Sequence, residues 1–378
     1  MTALPLDGVL VADFSRVLAG PLAASMLADL GARVIKVERP GVGDDTRAWG
    51  PPWTHHSSSY FESANRSKES VELDLADSDD QALADRLASR ADVLIENFKS
   101  GTLPRYRLGY DDVVATNPGI VYASITGFGS QGGRDLPGYD FLVQAVGGLM
   151  SITGSPGEPT KVGVALVDVL TAKDAVVGIL AALRSREHDG LGQHIEVNLL
   201  SSLLGSMVNQ ASSYLATGVA PVAMGNQHPS IAPYESFRAK DGHLAVCCGN
   251  TDQFLRFLDV LGLKPAQPMM TNAGRVQHRA ELVIQVEAAL ATDTVDSWTR
   301  RLLQVGVPAG KVGSVAEAFD LARNLGLEPT VDVGAGNALQ TRHSITYSKT
   351  PVTHYAAPPL LGEHSDEIRR WLTEESPS

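Results

Sequence analysis

The chain has 378 residues, of which 43% are hydrophobic and 20% are charged, as in ordinary soluble globular proteins. This length predicts two to three domains, or one large domain with a smaller one attached. The formal net charge of −12 at pH 7 argues against nucleic acid or an anionic membrane as a partner, because both would repel the protein. An anionic ligand would need a local basic cluster or backbone amides.

The first predicted elements form one βαβ unit over residues 7–38. The segment GVLVADF is rich in valine and predicts a buried strand, and RVIKVE predicts a second strand. Between them, GPLAASMLADLGA has apolar residues at helical spacing. Pro21 suits the first turn of this helix, and Gly31 ends it.

Strand and helix patterns continue to alternate through the first two thirds of the chain. Their alternation predicts an α/β fold with a parallel sheet covered by helices on both faces. In order, the segments are a helix at DDQALADRLASRA, strands at DVLIEN and GIVYASITGFG, a helix from just after Asp168 to roughly Arg186, a strand at GQHIEVNLL and a long helix at SSLLGSMVNQASSYLATG.

The pattern changes near Pro221. APYESFRAKDGHLAVCCGN predicts a hairpin that turns at Asp241-Gly242, and helices follow at TDQFLRFLDVLGL and RAELVIQVEAALATDTVDSWTRRLLQVG. The tail is rich in proline, then helical. We therefore expect a large domain over residues 1–221, a small α+β domain over 222–310, and a segment over 311–378 that returns to the large domain.

The cysteine and histidine content gives no sign of a disulfide or a metal site. Cys247 and Cys248 are adjacent, so we expect both to be reduced in a cytoplasmic protein. His55 and His56 have no acid or thiol at metal-ligand spacing, which favours a polar loop. No signal peptide or membrane-spanning stretch is visible, so we expect no membrane partner.

A dinucleotide site is disfavoured although the first βαβ unit suggests one. Glu38 ends the second strand, where an acid that binds ribose would lie, but the first turn DFSRVLAGP lacks G-x-G-x-x-G. The spacing does occur at Gly127, Gly129 and Gly132. There it does not lead directly into a helix, which favours a flexible loop. The free amides near Gly20 could still receive phosphate or another anion.

Basic residues cluster in the first third of the chain, several of them after predicted strand ends, where ligands bind in α/β proteins. Any one of them alone is best explained as a solvated surface charge. As a set in an acidic protein they suggest a phosphate-rich ligand. They are Arg39, Arg47, Arg66, Lys68, Lys99, Arg105 and Arg107.

Asp168 lies in an almost wholly apolar stretch, between Val167 and Val169. Because an unpaired buried charge is costly, this acid needs a partner, a cap to make or a reaction to perform. It could be the N-cap of the helix that follows, or a nucleophile that the helix dipole keeps ionised. The two interpretations are compatible.

A series of motifs in this order resembles the class III CoA-transferases, the family of formyl-CoA transferase and carnitine CoA-transferase, from end to end. The motifs are LDGVLVADFSRVLAGPLAASMLADLGARVIKVERPGVGDDTR, NRSKESVELDL, DVLIENFKSGTLPR, GFGSQGG, GYDFLVQAVGGLM, VGVALVDVLTA, GLGQHIEVNLL, GNQHPSIAPYESF and PPLLGEHSDEI.

The resemblance implies a fold and a chemistry. Family members have a Rossmann-like large domain made from both chain ends and a small domain, and two subunits interlock as a homodimer. Asp168 stands where the family has its nucleophile, which passes CoA from an acyl-CoA to a free carboxylic acid through aspartyl anhydride and aspartyl-CoA thioester intermediates. CoA is then the only cofactor required, with no metal, nicotinamide or flavin.

The resemblance also implies the residues that bind ligands. One departure is that Ala76 stands where the family has a lysine, which would weaken binding of the nucleotide or shift it to neighbouring arginines. The expected CoA contacts are Leu18, Ala19, Arg39, Leu73 to Ala76, Asn97, Phe98, Lys99 and Arg105. The expected substrate-side residues are Tyr139, Asp140, Gly225, Asn226 and Arg16. Arg16 could pair with the second carboxylate of a dicarboxylic acid such as succinate, or it could instead face a CoA phosphate or form a salt bridge.

Two alternatives share the resemblance. α-Methylacyl-CoA racemase has the same layout but uses a histidine–aspartate pair, with its histidine in a GHD stretch. This chain has GYD there, and the Tyr139 phenol, with an unperturbed pKa of about 10, is a poor proton shuttle at neutral pH. The second alternative is a catalytically silent protein that binds CoA.

Overall fold

The computed structural model describes residues 3–334 and 336–374. Its strands alternate with helices as far as Asn198, with one run of three successive helices before the last strand. They are β1 (Leu10–Asp13), α1 (Ala19–Asp29), β2 (Arg33–Glu38), α2 (Ser59–Ser63), β3 (Glu69–Glu72), α3 (Ser78–Arg90), β4 (Val93–Glu96), α4 (Tyr110–Thr116), β5 (Val121–Thr126), α5 (Asp140–Val146), α6 (Leu149–Ile152), α7 (Leu166–Asp189) and β6 (Gln193–Asn198).

The described elements after Asn198 are mostly helices, with five short strands among them. They are α8 (Leu199–Ser206), α9 (Val208–Thr217), β7 (Tyr234–Arg238), β8 (His243–Cys247), α10 (Thr251–Leu261), α11 (Asn272–Gln277), α12 (Arg279–Leu290), α13 (Val295–Gln304), β9 (Ala309–Lys311), α14 (Val315–Asn324), β10 (Thr330–Val331), β11 (Gln340–Thr341) and α15 (Ser365–Thr373). Three short 3-10 helices cover Asp45–Ala48, Leu103–Tyr106 and Gln267–Met270.

A six-stranded sheet in the order β3-β2-β1-β4-β5-β6 organises the first part of the chain, and every neighbouring pair is parallel. The predicted α/β fold with a parallel sheet is therefore confirmed. The chain order reverses between β1 and β4. In open sheets of this kind, ligands bind beyond the carboxyl ends of the strands at this switch point.

Successive residues of the central strands enter two different hydrophobic clusters. Val11 and Ile95 pack on one face of the sheet with α1 and α7, whereas Ala12 and Leu94 pack on the other with α3 and α15. Because side chains alternate along a strand, a strand buried on both faces is apolar throughout. This explains the continuous apolar runs in the sequence.

Two compact units result. The first comprises Met1–Leu149, Val162–Val219 and Glu328–Ser378, and the second Met150–Lys161 and Ala220–Leu327. The expected small domain, 222–310, lies inside the second unit, which also takes in 150–161 and 311–327. The second unit has its own antiparallel sheet, β7-β8-β9, and its own hydrophobic core.

Local predictions had mixed outcomes. The hairpin is confirmed, since β7 and β8 pair with Arg238 opposite His243 across the predicted turn. The single helix predicted over 201–218 is wrong. It divides into α8 and α9 at Val208, whose φ of 34° leaves the helical range. The pattern over 279–306 likewise divides into α12 and α13, where the Thr294 side chain caps a new helix.

Within the described ranges 3–334 and 336–374, no helix has the length and apolar character needed to cross a membrane. Location in the cytoplasm stays a prediction.

Candidate active site

The loops that follow β1 and β4 meet at the switch point of the sheet. The side-chain amide of Asn97, just after β4, makes two hydrogen bonds to the backbone of Arg16, just after β1. Arg16 N–H donates to Asn97 Oδ1 at 2.8 Å, and Asn97 Nδ2 donates to the Arg16 carbonyl at 2.6 Å. Both ends of the Asn97 side chain are thus occupied by protein. One donor and one acceptor site of the amide remain, and its role as a CoA contact stays a prediction.

A cavity of about 320 Å³, here called the aspartate cavity, opens between these loops and the segments after β5. It contains Asp168 and Asp140 together with the predicted Arg16, Leu18, Ala19, Asn97, Phe98, Lys99 and Tyr139. Its other lining residues are Val17, Asp45, Ser100, Ile125, Thr126, Gly127, Gly129, Gly133, Arg134, Asp135, Leu136, Pro137, Gly138 and Leu199. Most residues predicted from the sequence therefore converge here.

Asp168 is the third residue of α7, and its N-cap interpretation is wrong. The N-cap is Ala165, which has no capping side chain. Asp140 supplies the cap from a distance: its Oδ1 accepts hydrogen bonds from the N–H groups of Val167 at 2.8 Å and Asp168 at 3.3 Å. Because Asp140 satisfies these orphan amides, the Asp168 carboxyl stays available.

Gln144, one turn after Asp140 on α5, braces the same segment. Its Nε2 donates to Asp140 Oδ2 at 2.7 Å, and its Oε1 accepts from the Val162 N–H at 2.9 Å. Gln144 is fully buried. The start of α7 is thus fixed by polar contacts with α5. This is the rigidity that a reacting side chain needs.

The Asp168 carboxyl has a perturbed acidity. Desolvation in its half-buried site, and next the negative charge of Asp140, raise the pKa of Asp168 to about 7. At neutral pH the group is therefore divided between its acid and its anion, and the anion is more basic than an ordinary carboxylate. Perturbed acids of this kind in a cleft are candidates for catalysis.

The sequence analysis missed Tyr60, on α2. Burial, then the charges of Asp168, Asp140 and Asp44, raise the pKa of Tyr60 to about 12. Its phenol consequently stays protonated and can donate a hydrogen bond beside the two carboxylates. Trp49 packs edge-on against its ring, with centroids 5.3 Å apart. No periodicity or motif marks either aromatic residue as part of a site.

A second cavity, of about 180 Å³ and here called the nucleotide cavity, shares Arg16 and Phe98 with the aspartate cavity. It lies beyond the ends of β2 and β3. Leu73 to Ala76 and Arg39, all predicted contacts, line it. The remaining lining residues are Phe14, Lys36, Val37, Glu38, Gly43, Asp44, Thr102 and Tyr106. Its mixture of aromatic, aliphatic and cationic groups is suited to a nucleotide.

Three of the seven residues in the basic cluster are committed to the fold, which corrects the interpretation of Arg47, Arg66 and Lys68 as phosphate ligands. Arg47 pairs with Glu38 at 2.7 Å, Arg66 with Asp29 at 2.6 Å and Lys68 with Asp13 at 2.8 Å. These six side chains are buried or nearly so, and a buried ion that loses its partner is strongly penalised. Glu38 is likewise occupied and has no free oxygen for a ribose.

The exposed cations form ion pairs that a ligand can disrupt more easily than the buried pairs. Arg39 and Arg16 share one carboxylate, that of Asp45, at 2.8 and 3.3 Å. Lys99 pairs with Asp135 at 3.0 Å on the rim of the aspartate cavity. Such exposed pairs are worth little, so a phosphate can replace the carboxylate at small cost. Arg105 is exposed and lines neither cavity.

Two further predictions fall elsewhere. Gly225 and Asn226 belong to the second unit, where the Gly225 N–H donates to the Gly154 carbonyl and Asn226 Nδ2 donates to Ser236 Oγ. Their predicted role over the substrate stays a prediction. Within the described residues, no group of three or more His, Cys, Asp or Glu side chains could hold a metal ion.

Comparison with known proteins decides the family. The family model described as CoA-transferase family III matches residues 6–365. The chain belongs to CoA-transferase family III.

Relatives of this CoA-transferase cover nearly its full length. Succinate–glutarate CoA-transferase of Agrobacterium fabrum is 41% identical over 96% of this chain and 94% of its own. Acetyl-CoA:oxalate CoA-transferase of Acetobacter aceti is 40% identical over 85% of each chain. A CaiB/BaiF family protein from Brucella suis has a solved structure that superposes with a TM-score of 0.89, at 40% identity, covering 98% of this chain and 100% of that one.

Membership explains why the acid at 168 and the two cavities occur together. A CoA-transferase must hold the long nucleotide part of CoA and place its thioester beside a reacting group. The nucleotide cavity and the aspartate cavity meet at Arg16 and Phe98, where the Arg16 guanidinium lies 4.9 Å from the centre of the Phe98 ring. The two cavities thus adjoin each other at these two side chains.

Proposed function

We propose that this CoA-transferase moves CoA between carboxylic acids through covalent intermediates on Asp168. One carboxylate oxygen of Asp168 attacks the thioester carbonyl of the donor, and the C–S bond breaks to release CoA thiolate. The product is a mixed anhydride. The thiolate then attacks the aspartyl carbonyl, which frees the donor acid and leaves an aspartyl-CoA thioester.

The acceptor acid reverses the sequence. Its carboxylate attacks the aspartyl thioester and expels the thiolate, forming a second anhydride. The thiolate attacks the acceptor carbonyl, so the new acyl-CoA leaves and the Asp168 carboxylate is regenerated. Protons balance without a net transfer, because each step exchanges one anion for another. The energy of the thioester is retained throughout.

The observation that carries this proposal is the raised pKa of a fixed carboxyl in the aspartate cavity. Desolvation penalises the Asp168 anion, and acylation removes that charge. The site therefore disfavours the free anion relative to the neutral anhydride and thioester. Asp140 adds to this effect by repelling the anion while its cap fixes the backbone of Asp168.

Backbone amides supply donors for the oxyanions formed in each step. The N-terminus of α1 has no side-chain cap, and Leu18 and Ala19 line the aspartate cavity. Their N–H groups have no acceptor among the described residues. Free amides at a helix N-terminus favour developing negative charge. The nucleotide portion of CoA would lie in the nucleotide cavity, on Leu73 to Ala76 and against Arg39.

We infer dicarboxylic acids as the acyl partners. Arg16 lines the aspartate cavity, and its guanidinium pairs with a partly exposed carboxylate, that of Asp45. A second substrate carboxylate can take the place of Asp45 on its guanidinium. The name of one relative, which refers to succinate and glutarate, supports this class, and that of another pairs a dicarboxylic acid, oxalate, with acetyl-CoA. A mass-resolved screen of mono- and dicarboxylic acids with succinyl-CoA tests it, and preference for monocarboxylic acids would contradict it.

The test of the reaction is exchange of isotopic label between free succinate and succinyl-CoA. We expect exchange by the unaltered enzyme and none above background for Asp168→Asn, which keeps size and polarity but lacks a nucleophilic anion. Asp174→Asn, on the exposed side of the same helix, is the matched control and should retain exchange. Equal exchange by all three proteins would refute the proposal.

Racemisation is the second candidate, on the same fold. It needs a histidine beside the aspartate, and no histidine occurs among the described residues that line the aspartate cavity. Tyr139, which stands in the racemase histidine's position, is 62% exposed. Deuterium uptake at the α-carbon of 2-methylacyl-CoA in heavy water would favour racemisation. Affinity for CoA without either reaction would indicate a silent binding protein.

We further propose that two chains form a homodimer. α9 has no buried residue, and Val208 and Leu215 on it are 66% and 80% exposed. An apolar helix face of this kind is suited to a second copy. Light scattering should give twice the 40.1 kDa chain mass, and a monomer at micromolar concentration would contradict the proposal.

A further inference from the structure

Val17 has a backbone conformation that its side chain disfavours. Its φ is 70°, in the left-handed region, where a β-branched residue is a genuine outlier. It lies in the loop between β1 and α1 and lines the aspartate cavity. Backbone strain of this kind persists only where surrounding contacts impose it, and it concentrates at functional sites.

Asp44 provides the contact that Val17 requires. The Val17 N–H donates to both oxygens of Asp44, at 3.3 and 3.2 Å. The carboxylate is itself immobile: Oδ2 pairs with Lys36 Nζ at 2.9 Å, and Oδ1 accepts from the N–H and hydroxyl of Thr46 at 3.0 and 2.8 Å. The side chains of Asp44 and Lys36 are fully buried.

The residues before Val17 are fixed as well. Lys36 Nζ donates to the Ser15 carbonyl at 2.8 Å, and Asn97 clasps the Arg16 backbone from the other side. The next residues along the chain are Leu18 and Ala19, which line the aspartate cavity and whose N–H groups have no acceptor among the described residues. The direction of these amides therefore depends on the conformation at Val17, whose N–H donates to Asp44.

We propose that Asp44 is a positioning residue for the transfer reaction. Held by Lys36, it keeps Val17 left-handed and thereby orients the amides of Leu18 and Ala19 toward the oxyanion formed at Asp168. This inference rests on the proposed function. Without the Asp44 oxygen that Val17 contacts, Val17 relaxes to a negative φ and the amides turn away from the cavity. Transition-state stabilisation is lost, whereas binding of CoA in the nucleotide cavity is kept.

Two substitutions distinguish the contact between Asp44 and Val17 from the ion pair between Asp44 and Lys36. Asp44→Asn loses the charge opposite Lys36 but keeps an acceptor for Val17 and for Thr46. Asp44→Ser keeps an N-cap for Thr46 but loses the second oxygen. We expect Asp44→Ser to lower kcat about 10- to 100-fold, the effect of misplacing a catalytic group by about 1 Å, with KM for succinyl-CoA changed less than about threefold. Asp44→Asn should lose less than about threefold in kcat.

Val17→Gly provides the decisive rescue. Glycine adopts a positive φ as readily as a negative one, so the loop no longer needs Asp44 to hold it. When Val17→Gly is already present, adding Asp44→Ser should cost less than about threefold in kcat. A loss from Asp44→Ser that is equal with and without Val17→Gly, or full activity of Asp44→Ser, would overturn the proposal and leave Asp44 a purely structural residue.

Folding is checked by far-UV circular dichroism, and Asp44→Thr, a second N-capping variant, replaces Asp44→Ser if that protein does not fold. Folding only in combination with Val17→Gly supports the proposal, and failure to fold both with and without Val17→Gly contradicts it. The unaltered enzyme and Asp168→Asn are assayed in parallel. If exchange does not depend on Asp168, the proposed function fails. If it does, the Asp44 result stands by itself.

Discussion

The acidity of Asp168 should set the pH dependence of the enzyme. The proposed nucleophile is the anion, and kcat/KM reports ionisation in the free enzyme. With a pKa of about 7, about one eleventh of the chains carry the anion at pH 6 and about ten elevenths at pH 8. We therefore expect kcat/KM for succinyl-CoA to rise about tenfold over this range.

Asp140→Asn tests the cause of this dependence. The amide keeps an oxygen for the N–H groups of Val167 and Asp168 but removes the negative charge. Desolvation, the larger cause, remains. The acidic limb of the profile should therefore move to lower pH without reaching the ordinary range of an aspartate. Asp174→Asn, which removes an exposed charge from the same helix, should leave the limb in place.

The assay is label exchange between glutarate and succinyl-CoA from pH 5.5 to 8.5 at constant ionic strength. A profile that is flat between pH 6 and 8 would refute the assignment of the anion as nucleophile. A shift to higher pH in Asp140→Asn would show that Asp140 does not raise the pKa of Asp168. Either result would remove the physical basis of the proposal.

Three more predictions concern stability and binding. Asp168→Asn should raise the free energy of unfolding by up to about 4 kcal/mol at pH 8 and about 2 kcal/mol at pH 5, and urea denaturation at both pH values checks this. The raised pKa penalises the folded state progressively as pH rises from the ordinary aspartate pKa of 3.8 to about 7, and the penalty is nearly constant above that. Gly20→Ala should destabilise by about 1–3 kcal/mol, since its Cβ would overlap the buried Ser15 side chain, whereas Gly205→Ala, in open space on α8, should not. Arg39→Gln should raise KM for succinyl-CoA about tenfold with little change in kcat, and Arg184→Gln should change neither.

Each of these three predictions has a result that would count against it. Equal stability of Asp168→Asn and the unaltered chain at pH 8 would mean that burial does not disfavour the Asp168 anion in the folded state. If Gly20→Ala leaves the free energy of unfolding unchanged, the loop at Ser15 moves to accommodate the added Cβ. Unchanged KM in Arg39→Gln would remove that cation from the CoA site.

The start of the fold could be predicted because its signals are local. Valine-rich runs, helical spacing and a terminal glycine are read within a few residues of each other. Gly31 indeed has a φ of 104° where α1 ends. The βαβ unit, the parallel sheet and the hairpin at Asp241-Gly242 all follow from such signals. Packing on two faces of one sheet then brings the ends of β1 and β4 together.

The cap of α7 could not be predicted, because its partner is distant in sequence. Asp140 lies 28 residues before Asp168 and meets it only after α5 and α7 pack. A local rule assigns the cap to the nearest acid, which here is Asp168. The prediction that Arg47, Arg66 and Lys68 bind phosphate was wrong for a similar reason. Whether Arg47, Arg66 or Lys68 is a free cation depends on which carboxylates the fold places opposite them.

The resemblance to the CoA-transferases supplied what local physics could not. It assigned Asp168 as the nucleophile and placed Leu73 to Ala76 at the nucleotide, and the structure brings these residues to adjoining cavities. It did not supply a role for Tyr60, which lies outside the quoted motifs, or for Asp44, which lies inside the first of them. Their contacts are visible only in three dimensions, because both residues lie in the long segment between β2 and β3.

Trapping a covalent intermediate tests the central claim most directly. The enzyme is incubated with succinyl-CoA without an acceptor acid, quenched, digested and analysed by mass spectrometry. We expect the peptide that contains Asp168 to gain the mass of CoA less water, and hydroxylamine to convert that adduct to a hydroxamate at Asp168. Continued turnover with no adduct on this residue, or an adduct that persists in Asp168→Asn, would contradict the account.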